Sequence, residues 1–187
     1  GITDITFRGQ AGAQIADLTG IGYFTALDTL SVPYHALESL DLRSNPRLKY
    51  VNCSYNRLTD LRLDGLSALD ALYCEFNYMQ SLDLSGNPEL TTIYCRHNLL
   101  EQLDLSHNTK LIFIETFDNR LTEIDVSMLK DLEFLHIGHN RLQRLDMSAN
   151  LNLKGGGFVV RNNDMRELIL PDIPGFIVYY DDFAEQD

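Results

Sequence analysis

Apolar residues return along this chain at a fixed interval. Leu27, Leu48, Leu69, Leu90, Leu111, Leu132 and Leu153 stand 21 residues apart, and behind each the same order of apolar and polar positions is repeated. Counting that leucine as coil position 1, the apolar residues fall at 4, 6 and 11 and then at 14 and 16. No helical stripe has this spacing. Positions 4 and 6 alternate against 3, 5 and 7, the period of two that turns side chains to opposite faces of a strand. Each coil therefore predicts one short strand. Because every coil runs the same way, the strands predict a parallel sheet with about 4.8 Å between neighbours, so the regular coils span only about 30 Å. Self-similarity at this period marks a stacked solenoid, in which each coil buries its apolar side against its neighbours.

The stretch Leu90 to Lys110, LTTIYCRHNLLEQLDLSHNTK, displays one whole coil. Asparagine occupies position 9 as Asn56, Asn77, Asn98, Asn119 and Asn140, with Asn163 following after a small shift and His35 standing in once. The chain turns out of the strand here, and a buried backbone group without a partner costs roughly 1–3 kcal/mol. A side-chain amide both donates and accepts, so these residues are expected to satisfy the backbone of their own coil and the next. The second half of the coil reads Leu103-Asp104-Leu105-Ser106, repeated around Asp41, Asp83, Asp125 and Asp146. It has two inward residues around one outward carboxylate and no room for a helix. A short extended segment with a solvated acidic ridge is the expectation. Asn45, Asn87, Asn108 and Asn150 alternate with Leu66 and Leu129 at position 19 and read as inward and structural. Cys53, Cys74 and Cys95 repeat the 21-residue interval at position 6, where other coils carry Val32, Thr116 and Ile137. They read as a ladder of small buried side chains, since neither a zinc site nor a disulfide framework suits one column of three.

The expected fold is thus an α/β-type repeat solenoid, mostly β: a leucine-rich repeat with a parallel sheet on one face, short extended segments or turns on the other and little helix. The pattern L-x-x-L-x-C-x-x-N-x-L, with T-x-L-D-L-S-x-N after it, resembles the 21-residue leucine-rich repeats of internalin-like bacterial surface proteins, especially those with a cysteine ladder. The segment Asp17 to Leu27, DLTGIGYFTAL, is similar to the lead into such arrays. The likeness covers about residues 15 to 170. It implies an exported, extracellular or surface-attached protein that recognises another macromolecule, often a host protein.

The ends depart from the period. Residues 1–26 read as an N-terminal cap, with Ile2, Ile5 and Phe7 facing inward and a helical turn around Ala13 to Leu18. Residues 27–170 are the repeats, with the period slipping by two at Gly155, Gly156 and Gly157. Residues 171–187 read as a C-terminal cap with a last strand at Phe176 to Tyr180, all within one domain. The two edge strands of such a sheet offer end-to-end pairing, and the sequence leaves the oligomeric state open.

Charge narrows the partners. With 27 acidic and 15 basic residues the chain lacks the basic footprint of a nucleic-acid or anionic-membrane binder. It has no run of 18 apolar residues and no signal peptide at its start. No nucleophile motif and no glycine-rich strand-to-helix loop is present, so no catalytic residue and no cofactor is assigned.

The outward sheet positions, 2, 3, 5, 7 and 8, hold Tyr34, Tyr50, Tyr55, Tyr73, Phe76, Tyr94, Phe113, Phe117 and Phe134, which is half of the chain's nine tyrosines and nine phenylalanines. Exposed rings of this kind are enriched at binding hot spots. Among them stand Arg96, His97, Glu115, His136 and His139, expected as polar contacts and as a pH-responsive patch. A metal held by His97, Asp118 and His139 is disfavoured because ligands in a straight column two coils long converge poorly. The candidate site is this aromatic face, with Tyr50, Tyr73, Tyr94, Phe113, Phe117 and Phe134 at its apolar centre and Tyr55 and Phe76 beside them. A protein ligand is the first expectation and a glycan the second. A structural spacer is the third.

Overall fold

The structure is a computed structural model, and it describes residues 1–10 and 14–176. Its main sheet has eight parallel strands: β1 (Asp4–Thr6), β2 (Thr29–Ser31), β4 (Tyr50–Asn52), β6 (Ala71–Tyr73), β7 (Thr92–Tyr94), β8 (Phe113–Glu115), β9 (Phe134–His136) and β11 (Phe158–Val159). Neighbouring strands pair with a shift of one coil, as in Val51 beside Leu72 and Ile93 beside Ile114. Each strand is three residues or fewer, and β2, β4, β6, β7, β8 and β9 are half-buried on either side of a buried centre, which is the alternation that the apolar pattern predicts. On the other face β3 (Ser39–Asp41) pairs with β5 (Asp60–Arg62), and β10 (Arg144–Asp146) pairs with β12 (Glu167–Ile169). One continuous core of leucines, with Val51, Ile93 and Ile114, fills the space between the faces. Among the described residues the only helix is a single 3-10 turn at Ile21–Tyr23, and no helix is long and apolar enough to cross a membrane.

The position-9 asparagines are buried and hold the coils in register. Asn98 accepts from the Met79 amide at 3.1 Å and donates to the Cys74 and Cys95 carbonyls, both at 3.1 Å. Asn56, Asn77, Asn119 and Asn140 repeat these bonds. The amide therefore joins its own coil to the preceding one rather than to the next, because the open carbonyl at position 6 and the open amide at position 11 lie on that side. His35 serves the same purpose at the N-terminal end, its Nδ1 accepting from the Ile15 amide at 3.1 Å. At position 19, Asn45, Asn87, Asn108 and Asn150 are fully buried and donate to carbonyls of the previous coil, such as Asn87 to Leu63 and Leu66.

The outward aspartates do more than form a solvated ridge. Asp83, Asp104, Asp125 and Asp146 each accept the backbone amide of the serine two residues on at 2.9–3.0 Å, and Asp41 accepts that of Arg43 at 3.1 Å. These are Asx turns, in which a short carboxylate takes over an amide that the bend leaves open. The bonds hold the carboxyls below their usual range: the Arg43 guanidinium lowers Asp41 to about 2, the Ser85 and Ser148 hydroxyls act first on Asp83 and Asp146, and the Ser106 and Ser127 amides act first on Asp104 and Asp125.

The ends differ from expectation in three places. Ile2 is exposed rather than inward, because it precedes β1 and has no coil above it. Residues 14–18 are not helical; the turn forms later at Ile21–Tyr23, where Gly20 at φ 98° lets the chain enter it. The last strand, expected from Phe176 onward, falls on residues outside the described ones beyond Phe176 itself. The slip at the glycines is a two-residue insertion: Phe158 pairs with Leu135, 23 residues earlier, and remains fully buried. A Cβ on Gly157 would stand 2.6 Å from the Glu133 carbonyl oxygen, so glycine is required where the inserted loop rejoins the sheet.

Two outcomes are expected. Asn98→Ala leaves the Met79 amide without a partner and takes one of two donors from the Cys74 and Cys95 carbonyls, which keep Asn77 and Asn119, and lowers unfolding free energy by about 2 kcal/mol in urea titration. The depressed aspartates give stability that is fully present above their unfolded values near 3.8 and is lost as pH falls through the folded values, toward about 2 for Asp41. Melting temperature should therefore decline between about pH 4 and pH 2, and Asp104→Asn should flatten that decline.

Candidate functional site

The outward face of the main sheet carries two columns of stacked rings. The first joins Tyr50, Tyr73, Tyr94, Phe113 and Phe134, with successive centroids 5.3, 4.8, 5.1 and 4.9 Å apart. This separation is the strand spacing itself, so each ring lies on the ring of the next coil. The column changes position without breaking: Tyr50, Phe113 and Phe134 stand at position 3 of their coils, and Tyr73 and Tyr94 at position 5.

The second column follows the exit of the strands. Tyr34, Tyr55, Phe76 and His97 stack at 4.3, 4.3 and 4.1 Å, and Phe117 and His139 continue the line with tilted rings. Position 8 has a left-handed backbone in every coil: Tyr34, Tyr55, Phe76, His97, Asp118, His139 and Asn162 all have φ between 50° and 64°. That conformation costs a residue with a Cβ about 1–2 kcal/mol. A stacked aromatic pair returns about 0.5–1.5 kcal/mol, so a ring stacked on both faces offsets the strain of its own turn.

Stacking decides what the rings expose. Tyr73, Tyr94, Tyr55, Phe76 and Phe113 each have neighbours on both faces. At the ends the faces are taken by cations: the Arg8 guanidinium lies 4.0 Å over Tyr34, Lys154 lies 5.8 Å over Phe134 and Arg161 lies 5.7 Å over Phe117. The tyrosines and phenylalanines of both columns are accordingly half-buried rather than exposed, and His139 at the end of the second is exposed. Burial first, with neighbouring charges after it, raises the Tyr55, Tyr73 and Tyr94 hydroxyls above the ordinary phenol range.

Between the columns runs a polar strip with one principal residue per coil: Ser54, Glu75, Arg96, Glu115 and His136. Arg96 Nη1 meets Glu115 Oε1 at 3.2 Å, the Glu115 side chain being only 15% exposed. Ser54 Oγ, Glu75 Oε2, Arg96 Nε and His136 Nε2 are sealed from solvent and have no hydrogen-bond partner among the described residues. At the outer edge His97 Nδ1 meets Asp118 Oδ2 at 2.5 Å, and His139 Nε2 meets the Asn162 amide at 2.7 Å. His139 thus engages the coil after it, and no group of three or more metal-ligating side chains converges among the described residues. All thirteen sequence-assigned site residues lie on this face, in the two columns, in the strip or on its edge. Tyr34, Glu75 and Asp118 complete the arrangement and were not assigned; their coil positions, 8, 7 and 8, carried the signal.

Under the sheet the Cys53, Cys74 and Cys95 thiols are free and fully buried, one per coil. Burial pushes Cys53 and Cys95 up to about 12 and Cys74 well above its ordinary value.

A parallel sheet with one strand per 21-residue coil, pinned by an asparagine ladder, defines a leucine-rich repeat solenoid. No protein-family model matches the chain, and no curated protein matches it in sequence. Solved structures do. The functional domain of InlJ from Listeria monocytogenes, which includes a cysteine ladder, is 33% identical over 87% of this chain and 35% of that one, with a TM-score of 0.82. YopM from Yersinia pestis, a leucine-rich effector protein, is 25% identical over 83% of this chain and 43% of its own, with a TM-score of 0.65. The internalin InlF from Listeria monocytogenes shares the fold at 19% identity, over 91% of this chain and 54% of its own, with a TM-score of 0.60. The chain is a leucine-rich repeat protein of the 21-residue, cysteine-ladder, internalin-like type. It spans about a third of the length of the InlJ structure it matches.

The burial of the three thiols predicts that none reacts with a disulfide-type thiol reagent at pH 8 in the folded protein and that all three react together on unfolding, which absorbance of the released thiol would follow.

Proposed function

We propose that this chain is the recognition segment of an exported bacterial protein and binds a protein partner, with a host-surface protein as one candidate, through the ringed face of its sheet. It acts without catalysis, nucleic acid or membrane insertion. Residues 1–26 and 171–187 close the two ends of its repeats. The observation that carries the reading is the pair of stacked columns with a half-buried polar strip between them, extending over five successive coils. Such a surface is preorganised: its rings are already immobilised by one another, so a partner that covers them loses little further side-chain freedom. The similarity to InlJ, InlF and YopM supports a bacterial, exported setting and a fold used for protein interaction.

Stacked faces also separate this reading from glycan binding. A sugar that packs on an aromatic platform needs a free ring face, and here rings fill both faces of Tyr55, Tyr73, Phe76, Tyr94 and Phe113 and cations lie over Tyr34 and Phe134, so that Tyr50, stacked on Tyr73 alone, is the exception. Rims, hydroxyls and the charged strip suit a protein surface better, since they offer hydrogen bonds and directional contacts along a line.

Arrays of surface proteins and of glycans, probed with the wild-type chain and two variants, test the reading. Tyr73→Phe/Tyr94→Phe keeps both stacks and removes the outward hydroxyls; Tyr94→Ala/Phe113→Ala opens the first column. The expected outcome is a protein hit weakened by the first variant and lost in the second, with both variants still cooperatively folded. Hits confined to glycans, or protein hits indifferent to both variants, would sink it.

A further inference from the structure

The polar strip has an unbalanced charge at its centre. Its ionic groups are Glu75, Arg96 and Glu115, and the one guanidinium is committed to Glu115 at 3.2 Å. Glu75, one coil before Arg96, forms no ion pair among the described residues, and its Oε2 is sealed from solvent without a partner. Its charge reaches the rings around it: after burial, Glu75 is among the causes that raise Tyr55, Tyr73 and Tyr94. Stacked columns stand on both sides, Tyr73 and Tyr94 in one and Tyr55 and Phe76 in the other. They wall the sealed Oε2 on two sides, while the residue as a whole is half-buried.

A half-buried carboxylate without a counter-charge is destabilising in the free protein, and a cation delivered to it in a water-poor setting is attracted more strongly than at an open surface. A bare metal ion is a poor match, because calcium takes six to eight oxygens and one carboxylate cannot supply them. A single basic side chain is a good match. It needs one carboxylate, it brings an aliphatic stem that packs along aromatic rims, and it belongs to a partner that the chain's net charge of −12 attracts from a distance.

Resting on the protein-binding reading above, we propose that Glu75 is the anchor of the site, receiving an arginine or lysine side chain of the partner between the two ring columns. The partner segment is therefore basic where it crosses the coil of Tyr73, and the Arg96–Glu115 pair beside it fixes which coil is read.

The test is a displayed library of random peptides panned on the full chain, with each bound clone re-measured against three variants. Tyr94→Ala/Phe113→Ala reports on the ringed face, Glu75→Gln removes the charge at nearly constant shape, and Glu123→Gln is a control on the opposite side. The expected result is that face-dependent clones are enriched in arginine or lysine, bind about tenfold or more weakly to Glu75→Gln, and bind Glu123→Gln as they do wild type. Replacing the basic residue of such a peptide by glutamine should cause no further loss in Glu75→Gln. Face-dependent clones without basic enrichment, or indifferent to Glu75→Gln, overturn the anchor while leaving the protein-binding reading intact. A panning that gives no face-dependent clone overturns both.

Discussion

Every coil leaves its strand at the same place, and the backbone groups left open there have to be satisfied without water. The position-9 amide meets this need by taking one amide and one carbonyl from the preceding coil and one carbonyl from its own. Sequence spacing follows from that constraint. A coil with an added residue would carry its asparagine away from both sets of partners, so the 21-residue interval holds from Leu27 until the glycines. Where two residues are inserted, the loop loses its side chain at Gly157 and Asn163 still reaches the Ile137 carbonyl at 3.0 Å. His35 shows what the first coil needs: an acceptor for the Ile15 amide, with the Phe7 ring set edge-on 5.1 Å away.

The same constraint creates the ringed face. Turning the chain toward the asparagine requires a left-handed residue just before it, and the ladder imposes that conformation seven times. Residues at this point project at one height and one angle from every coil. Identical projection at the strand spacing is the geometry of ring stacking, so aromatic side chains at position 8 stabilise a turn that would otherwise strain them. Packing, backbone strain and the ringed face are thus three consequences of one turn.

Much of this was legible in the sequence, because strict translation leaves a period. The strands, both asparagine ladders, the inward cysteines and the outward rings all follow from coil position alone. Other features were hidden for physical reasons. Tyrosine and phenylalanine do not announce a left-handed turn as glycine does, so the conformation of Tyr55 and Phe76 arises from cross-coil contacts that no local propensity encodes. The exposure of the rings was overestimated, since an outward position in one coil says nothing of the neighbour that covers it. Ion pairing was equally silent: Arg96 lies between two glutamates along the stack, and only the structure commits it to Glu115. The Asx turns, by contrast, carry a visible signal in the aspartate followed two residues later by serine, a spacing that a solvated ridge does not require.

A repeat scaffold faces a limit when it displays aromatic residues. Rings at one position in consecutive coils stack and lose their faces, so repetition alone produces a smooth rib with little to distinguish one coil from the next. This chain escapes the limit by shifting the first column, from position 3 at Tyr50 to position 5 at Tyr73 and Tyr94 and back to position 3 at Phe113 and Phe134, while keeping centroids within 5.3 Å. Each shift changes where the polar residue of that coil can stand. Glu115 and His136 occupy position 5 where the rings have moved to 3, and Glu75 and Arg96 occupy position 7 where the rings have moved to 5. What distinguishes one coil from the next on this face is then the polar strip and the column's shifts, with the stacked rings as rigid walls on either side of it.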